Sequence, residues 1–164
     1  MDIRTEVAGD REAIRALVTA AFAPIEHSSH TEARIVDALR AAGALHLSLV
    51  ATDGAELVGH AAFSAVRIAG GPAGWFGLGP VAVRPDRQHE GIGTTLVRTG
   101  LERLRAEGAR GCVVLGEPAY YGRFGFRARP ELRLAGVPPA YFQALAFTSE
   151  APSGEVMYHP AFSA

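Results

Sequence analysis

The sequence contains no lysine: its 16 basic residues are all arginine. Without a lysine amine, the chain can form no Schiff base with a carbonyl substrate or with pyridoxal phosphate. It also lacks the lysine with which a P-loop reaches nucleotide phosphates. These three kinds of chemistry are therefore excluded. We attach no function to the absence itself, because genome base composition is a sufficient explanation for it.

Cysteine is nearly absent as well. Cys112 is the single cysteine, so the chain can form neither an internal disulfide nor a cysteine-based zinc cluster, as expected in a reducing compartment. We therefore predict a cytoplasmic location. Cys112 lies in the apolar run "CVVLG" and is expected to be a small buried hydrophobic residue.

Long apolar runs are also missing. No run is long enough to cross a bilayer, and the charged start, Met1 to Glu6, is not followed by the apolar core of a signal peptide. We expect neither export nor membrane contact. A formal net charge of -1 argues against nucleic acid as a partner. The 164 residues fit a single domain, residues 1–164, which would bury about 70% of its unfolded surface.

Two helices are predicted to follow a short first strand. Asp10 can cap the first helix, which Pro24 ends, and Gly43 closes the second helix, which starts at Thr31. The apolar positions recur with helical spacing: Ile14, Leu17, Val18, Ala21 and Phe22 in the first helix, and Ile35, Val36 and Leu39 in the second. The strand before them carries the alternating residues Ile3, Thr5 and Val7.

The rest of the chain alternates strands and helices. "LHLSLVAT" and "ELVGHAAFSAVRIAG" flank the turn dipeptide Asp53-Gly54, which is typical of an antiparallel hairpin. Trp75–Val83 predicts a fourth strand, and "CVVLG" predicts a parallel neighbour reached through an amphipathic helix. A short helix and two or three further strands complete the chain. The order β-αα-β-β-β-α-β-α-β-β predicts an α/β (α+β) fold with a mixed sheet.

The stretch "QHEGIG", residues 88–93, stands between the fourth strand and the amphipathic helix. Gly91 and Gly93 let the backbone approach a ligand closely, and the free N–H groups at a helix N-terminus bind anions. Phosphate is the expected guest. A dinucleotide fingerprint would need a third glycine at Leu96, and a P-loop would need lysine. From these residues alone, a tight loop without a ligand remains the alternative.

The pattern Gln88-x-x-Gly91-x-Gly93 resembles the Gln/Arg-x-x-Gly-x-Gly/Ala signature of the GNAT superfamily of acetyl-CoA-dependent N-acetyltransferases. The segment "YYGRFGF" is similar to a second landmark of that family, a tyrosine four residues before the glycine of a Phe-Gly-Phe turn. The resemblance spans about Ile3 to Phe126, and it is strongest to the small bacterial members of the family that are labelled YhbS-like. It implies a GNAT-type fold whose central parallel strands splay apart.

The resemblance also implies acetyl-CoA (coenzyme A) as the cofactor. In this family the loop amides hold the diphosphate, and the pantetheine arm lies between the splayed strands, pairing with exposed backbone. Pro80 favours such an opening because it cannot donate a ladder hydrogen bond, although an ordinary edge strand is the alternative. The implied cofactor-binding residues are Val81, Val83, Gln88, His89, Glu90, Gly91, Gly93 and Thr94.

The same resemblance implies that Tyr121 is the catalytic general acid near the cofactor sulfur; packing of the short helix is its alternative role. No general base is evident, since Gly77 and Gly79 occupy positions where some relatives carry histidine. A water chain to bulk solvent is one substitute. The residues that could act instead are His60, Glu117, Glu26, His27, His30 and Glu32. We expect no metal site, because the nearby histidines lack a further matched pair.

The sequence thus predicts an acyltransferase that moves an acetyl group to a primary amine of an unidentified small-molecule or peptide substrate, by direct attack in a ternary complex. A non-catalytic coenzyme A-binding sensor or assembly module is the alternative, because the base is missing. A nucleotide-phosphate binder of unrelated fold is a third reading. Pairing of two copies through the C-terminal strands, giving a homodimer, is left open.

Overall fold

The computed structural model describes residues 1–163. The helices within them are α1 (Arg11–Phe22), α2 (Glu32–Ala41), α3 (Ile92–Ala106) and α4 (Pro118–Tyr121). The strands are β1 (Asp2–Thr5), β2 (Leu45–Asp53), β3 (Glu56–Ala65), β4 (Arg67–Ile68), β5 (Trp75–Val83), β6 (Gly111–Leu115), β7 (Arg127–Ala128), β8 (Leu132–Arg133), β9 (Phe142–Ala146) and β10 (Gly154–Met157). No helix in this part of the chain is both long and apolar enough to span a bilayer.

The chain forms two compact units. Among the described residues, the first contains residues 1–63, 80–100 and 160–163, and the second contains residues 64–79 and 101–159. The chain passes from one unit to the other within β3, within β5 and within α3. Each unit has its own buried apolar cluster.

The first unit is built as its sequence pattern predicts. β1 pairs antiparallel with β2, with Asp2 opposite Thr52, and β3 lies next to β2 after the turn at Gly54, whose φ is +63°. The apolar faces of α1 and α2 pack together and onto β2. The buried residues of this cluster are Ile14, Leu17, Val18, Ala21, Val36, Val50 and Ala82.

Asp10 differs from its prediction. It occupies the N-cap position of α1, but its side chain makes no capping hydrogen bond. Its carboxylate instead accepts the Val7 N–H at 2.8 Å and the Arg4 guanidinium at 2.7 Å. These bonds hold the short 3₁₀ turn that precedes the helix, and the Arg4 hydrogen bond lowers the pKa of Asp10.

The second unit contains a mixed sheet, as predicted. β5 runs parallel to β6 from Trp75–Leu78 opposite Gly111–Val114, β6 is antiparallel to β9, and β9 is antiparallel to β7. A small separate sheet has the order β4-β10-β8. Four strands therefore follow α4, instead of two or three. β7 and β8 have two residues each, which is too short for alternation to appear in a sequence.

The interruption expected in β5 lies where proline suggested it. The parallel pairing ends at Leu78, opposite Val114. Gly79 then has a φ of +137°, a conformation that side chains disfavour, and Pro80 has no N–H to donate. β5 continues beyond this point to Val83. The parallel ladder between β5 and β6 therefore stops in the middle of β5.

Candidate functional site

The end of β5 presents the first group of predicted site residues. Val81 and Val83 are half-buried, while Ala82 between them is buried in the apolar cluster with α1. The backbone is held in place because the Arg84 N–H donates to the Val58 carbonyl of β3 at 2.9 Å. This anchor fixes the point at which the next loop begins.

Residues 84–91, which we name the glycine loop, connect β5 to α3. Its first part is a 3₁₀ turn, Pro85–Arg87, closed by the Arg87 N–H donating to the Arg84 carbonyl at 2.8 Å. His89 and Gly91 both have left-handed backbone, with φ of +68° and +85°. A Cβ at Gly91 would meet nothing within 4 Å, so glycine is favoured there by backbone conformation and not by crowding.

The glycine loop leads directly into the N-terminus of α3. The Gly91 carbonyl accepts both the Thr95 N–H at 3.0 Å and the Thr95 hydroxyl at 2.9 Å. Ile92 and Leu96 anchor the first turns, because Gly59 of β3 lets both side chains come close: a Cβ there would lie 2.8 Å from each. The start of α3 is thus packed tightly onto β3.

This helix start is suited to an anion. The first amides of an α-helix have no intrahelical acceptor, and the macrodipole places partial positive charge there. Gly93 and Thr94 lie in this first turn and are half-buried. Gln88, His89 and Glu90 are exposed just before it, and the Gln88 amide donates to the Val83 carbonyl at 3.4 Å. The predicted cofactor-binding residues therefore lie in one continuous segment of the chain, residues 81–94.

Two arginines that the sequence reasoning missed fix the shape of the glycine loop. Each joins a carboxylate within the loop to one at the tip of the β2–β3 hairpin. The contacts are Arg84 Nε to Asp86 Oδ1 at 2.6 Å, Arg84 Nη1 to Glu56 Oε2 at 2.7 Å, Arg87 Nε to Glu90 Oε1 at 3.0 Å and Arg87 Nη1 to Asp53 Oδ2 at 3.0 Å. No local signal identifies them, since the hairpin partners lie 28 and 34 residues earlier in the chain.

These ion pairs have an electrostatic consequence for the loop. The Arg84 hydrogen bond lowers the pKa of Asp86, and the hydrogen bonds to Glu90 and Asp53 raise the pKa of Arg87. Two arginines (+2) are paired with four carboxylates (−4), so the side chains of this cluster carry a net charge of −2 and do not themselves favour an anion. An anion at this loop would have to be bound by backbone amides, which is the kind of site that Gly91 makes accessible.

Tyr121 lies at the end of α4 in the second unit. Its N–H donates to the Glu117 carbonyl at 3.0 Å, closing the single turn of the helix. Its ring covers Gly116, where any Cβ would overlap the ring. Tyr120 and Phe126 pack edge-on against it, with ring centroids 4.9 Å and 6.0 Å away. Glycine at position 116 and the aromatic neighbours together set the orientation of the phenol.

The environment of Tyr121 keeps its phenol protonated. Burial raises the pKa to about 12, and the neighbouring Tyr120 and Cys112 add to the shift. At neutral pH such a group can donate a hydrogen bond or a proton but cannot act as a base. The chemistry available at this position agrees with the acid role that the resemblance implies.

Of the two positions where some relatives carry histidine, Gly79 has open space around it but a φ of +137°, and Gly77 is crowded. A Cβ on Gly77 would lie 2.9 Å from Cε2 of Tyr158 and 3.1 Å from Cγ1 of Val66. The ring of Tyr158 therefore fills the space into which a side chain at position 77 would project. A histidine cannot be accommodated there without displacing the tyrosine.

His60, one of the candidate bases, belongs to a buried polar network. Its side chain is 0% exposed, and Nε2 lies 2.8 Å from the Ser48 hydroxyl. Ser48 donates to Glu6, whose carboxylate accepts two hydrogen bonds from Arg40 at 2.9 Å each. Burial lowers the pKa of His60 to about 4. The imidazole is thus neutral and shielded from solvent, as is typical of a structural residue and not of a catalytic base.

The remaining base candidates are on the surface or already bonded. Glu26, His27 and Glu117 are exposed. His30, with a φ of +59°, points Nε2 at the Ala23 carbonyl at 3.3 Å, and Glu32 accepts the Ser28 hydroxyl at 2.6 Å. The structure therefore singles out none of these residues as a base.

Known proteins that are similar to this chain include acetyltransferases. A family model described as an acetyltransferase (GNAT) domain matches residues 2–129. The uncharacterized N-acetyltransferase YhbS of Escherichia coli K12 is 40% identical over 127 residues, which are 77% of this chain and 73% of that protein.

Two crystal structures superpose closely on the chain. A GNAT family acetyltransferase from Brucella melitensis in complex with acetyl-CoA has a TM-score of 0.88 at 52% identity, covering 98% of this chain and 97% of that one. YhbS from Escherichia coli in complex with CoA has a TM-score of 0.91 at 35% identity, covering 99% of this chain and 92% of that one.

Proposed function

Since the chain belongs to the GNAT family of acetyltransferases and is an acyltransferase, we propose that it moves an acetyl group from acetyl-CoA to a primary amine by direct attack in a ternary complex. The observation that carries the cofactor assignment is the glycine loop. Its left-handed Gly91 opens onto the amide-rich start of α3. The acetyl-CoA and CoA bound to the Brucella melitensis and Escherichia coli structures support the same cofactor for this chain.

In this proposal the glycine loop and the first turn of α3 hold the cofactor diphosphate. The amides of Gly91, Gly93 and Thr94 bind its oxygens, and Gln88, His89 and Glu90 border it. The backbone of Val81 and Val83 pairs with the amides of the pantetheine arm. Support comes from the ladder of β5, which loses its parallel partner after Leu78.

Tyr121 is the proposed proton donor. Acetyl-CoA supplies an acetyl thioester, and transfer to an amine leaves a thiolate that must be protonated. The Tyr121 phenol carries its proton at neutral pH, because burial raises its pKa to about 12. A low-dielectric surrounding also disfavours a thiolate, so the pKa of a thiol that leaves there rises in the same direction. The two pKa values are thereby brought closer together.

No protein side chain is assigned as the base. Tyr158 fills the space next to Gly77, and His60 is enclosed in its own network. We propose that the attacking amine loses its proton to water leading to bulk solvent. The acetylation rate then rises with pH until the free amine itself is neutral.

Replacement of Tyr121 tests this function. Purified protein is incubated with acetyl-CoA and a panel of primary amines, and the release of free thiol is followed. With any accepted amine, Tyr121→Phe is expected to lower kcat by about 10²- to 10⁴-fold, because one acid is removed, and to leave the Kd of acetyl-CoA unchanged. Tyr120→Phe is the matched control: it removes the adjacent hydroxyl and is expected to retain activity. A full rate in Tyr121→Phe contradicts the assignment.

A coenzyme A-binding sensor is the second candidate function. It is favoured by one observation: Gly77 and Gly79 provide no basic side chain on the fourth strand, and Tyr158 fills the space beside Gly77. Tight binding of acetyl-CoA with no turnover on any amine of the panel would support the sensor over the enzyme.

A further inference from the structure

The second unit contains a pocket of about 590 Å³ whose lining includes none of the residues assigned above to acetyl transfer. Leu132 and Phe142 line it and are buried, at 4% and 3% exposure, while Leu134 and Val137 contribute further apolar surface. A volume of this size suits a small organic ligand, and mostly apolar walls with a few polar groups are typical of such sites. The ring neighbours of Tyr121 do not belong to the lining.

Three charged side chains also line the pocket: Arg129, Arg133 and Glu155. Among residues 1–163 none of them forms an ion pair or a side-chain hydrogen bond, although Glu155 stands opposite Arg133 in the pairing of β10 with β8. Arg129 is half-buried, while Arg133 and Glu155 are exposed at the rim; an arginine without a carboxylate partner also occurs elsewhere among these residues, for example Arg34. Two arginines against one glutamate leave the lining with one net positive charge.

The walls of this pocket are held in shape without a ligand. The Leu132 N–H donates to the Arg129 carbonyl at 3.1 Å, and the Gly154 N–H donates to the Glu131 carbonyl at 2.8 Å. Pro130 and Pro139 are part of the lining and have fixed φ angles. A cavity that is already formed needs little ordering when a ligand enters, which favours binding.

We propose that this pocket binds a small apolar carboxylate. The aromatic or aliphatic body would lie against Leu132 and Phe142, where burial of apolar surface drives binding. The carboxylate would accept hydrogen bonds from Arg129 and Arg133, whose planar donors match its two oxygens. One negative charge on the ligand balances the net charge of the lining. None of the residues proposed for acetyl transfer lines this pocket, so the test below does not depend on their assignment.

Calorimetric titration of the whole protein tests the proposal. The probes are aryl and straight-chain carboxylates, such as 3-phenylpropionate, each compared with its neutral amide. We expect at least one acid to bind about tenfold or more tightly than its amide, because the amide cannot form a charged pair with arginine. Arg129→Gln and Arg133→Gln should each weaken the acid by a similar factor and leave the amide unchanged. Arg34→Gln, at an exposed arginine of α2, is the control.

A second variant tests the cavity itself. Ala140 lines the pocket and is exposed, so Ala140→Phe is expected to fill the space without disturbing the core. It should abolish binding of the acid while the Kd of acetyl-CoA and the melting temperature stay unchanged; Ala16→Phe on the exposed face of α1 is its control. Equal affinity for acid and amide, no binding of any probe, or binding that survives these variants would overturn the proposal.

Discussion

Glycine performs two different tasks in this protein, and they separate at the level of single residues. Gly91 and Gly108 have φ of +85° and +86° with open space around them, so their backbone conformation favours glycine. Gly77 and Gly116 lie beneath the rings of Tyr158 and Tyr121 and are required by those neighbours. The first task is visible in a sequence as a turn signal, whereas the second is not.

The buried His60 gives a prediction on acid stability. Its pKa is about 4 in the folded chain against 6.5 for the unfolded group, so between these values the unfolded chain binds a proton that the folded chain does not. The contribution of the neutral His60 to the free energy of unfolding is therefore fully present above about pH 6.5, and it declines as the pH falls toward 4. The loss amounts to about 3 kcal/mol for this group.

Urea denaturation at a series of pH values measures this effect. His60→Gln, whose amide can still donate to Ser48, should lose most of the decline between pH 6.5 and 4, although it lowers stability at neutral pH. The pKa of Glu6 is lowered in the fold, so its contribution disappears only at more acid pH. An identical pH profile in the variant and the parent would contradict the assignment.

At the level of elements, the glycine loop and the start of α3 act together. The loop is tied to the β2–β3 hairpin by Arg84 and Arg87, and α3 is packed onto β3 at Gly59. The position of the glycine loop is thus fixed by its ion pairs with the hairpin and by the packing of α3 onto β3. A change confined to the backbone of the loop should therefore alter ligand binding more than folding.

Gly91→Ala and Gly108→Ala form a matched pair for this expectation. Both place a side chain on left-handed backbone in open space, so each should destabilise the fold by about 1–2 kcal/mol. Only Gly91→Ala should also weaken coenzyme A binding, by about tenfold or more, because it displaces the amides at the helix start. Calorimetry with coenzyme A and urea denaturation separate the two effects. Equal losses of affinity in both variants would show that the glycine loop is not the binding element.

At the level of the whole molecule, ligand binding appears as a change in stability. A ligand present at 100 times its Kd stabilises the native state by about 2.7 kcal/mol, which for a chain of this size raises the melting temperature by roughly 5–10 °C. Coenzyme A and acetyl-CoA should produce this shift, and ATP and NAD should not. A shift with ATP or NAD as large as that with coenzyme A would favour a general nucleotide-phosphate binder.

The sequence by itself predicted the longer helices and strands and the family, but not the two-residue strands β7 and β8. These predictions rest on local features, which depend only on residues close together in the sequence. The features are helix and strand periodicity, the break at Pro80 and the segment from Gln88 to Thr94. The roles of Val81, Val83 and Tyr121 were predicted only from the resemblance to the GNAT superfamily. Backbone pairing and the surroundings of a phenol produce no spacing pattern in a sequence. The cofactor contacts proposed for these residues remain predictions.

Only the tertiary structure decided which residues meet across the chain. It joined Arg84 and Arg87 to a hairpin about thirty residues away, enclosed His60 with Ser48, and packed the ring of Tyr158 against Gly77. It also assembled a pocket with unpaired arginines from short, irregular segments. The physical reason is that burial, ion pairing and steric exclusion depend on distance in space, which residue spacing along the chain does not specify.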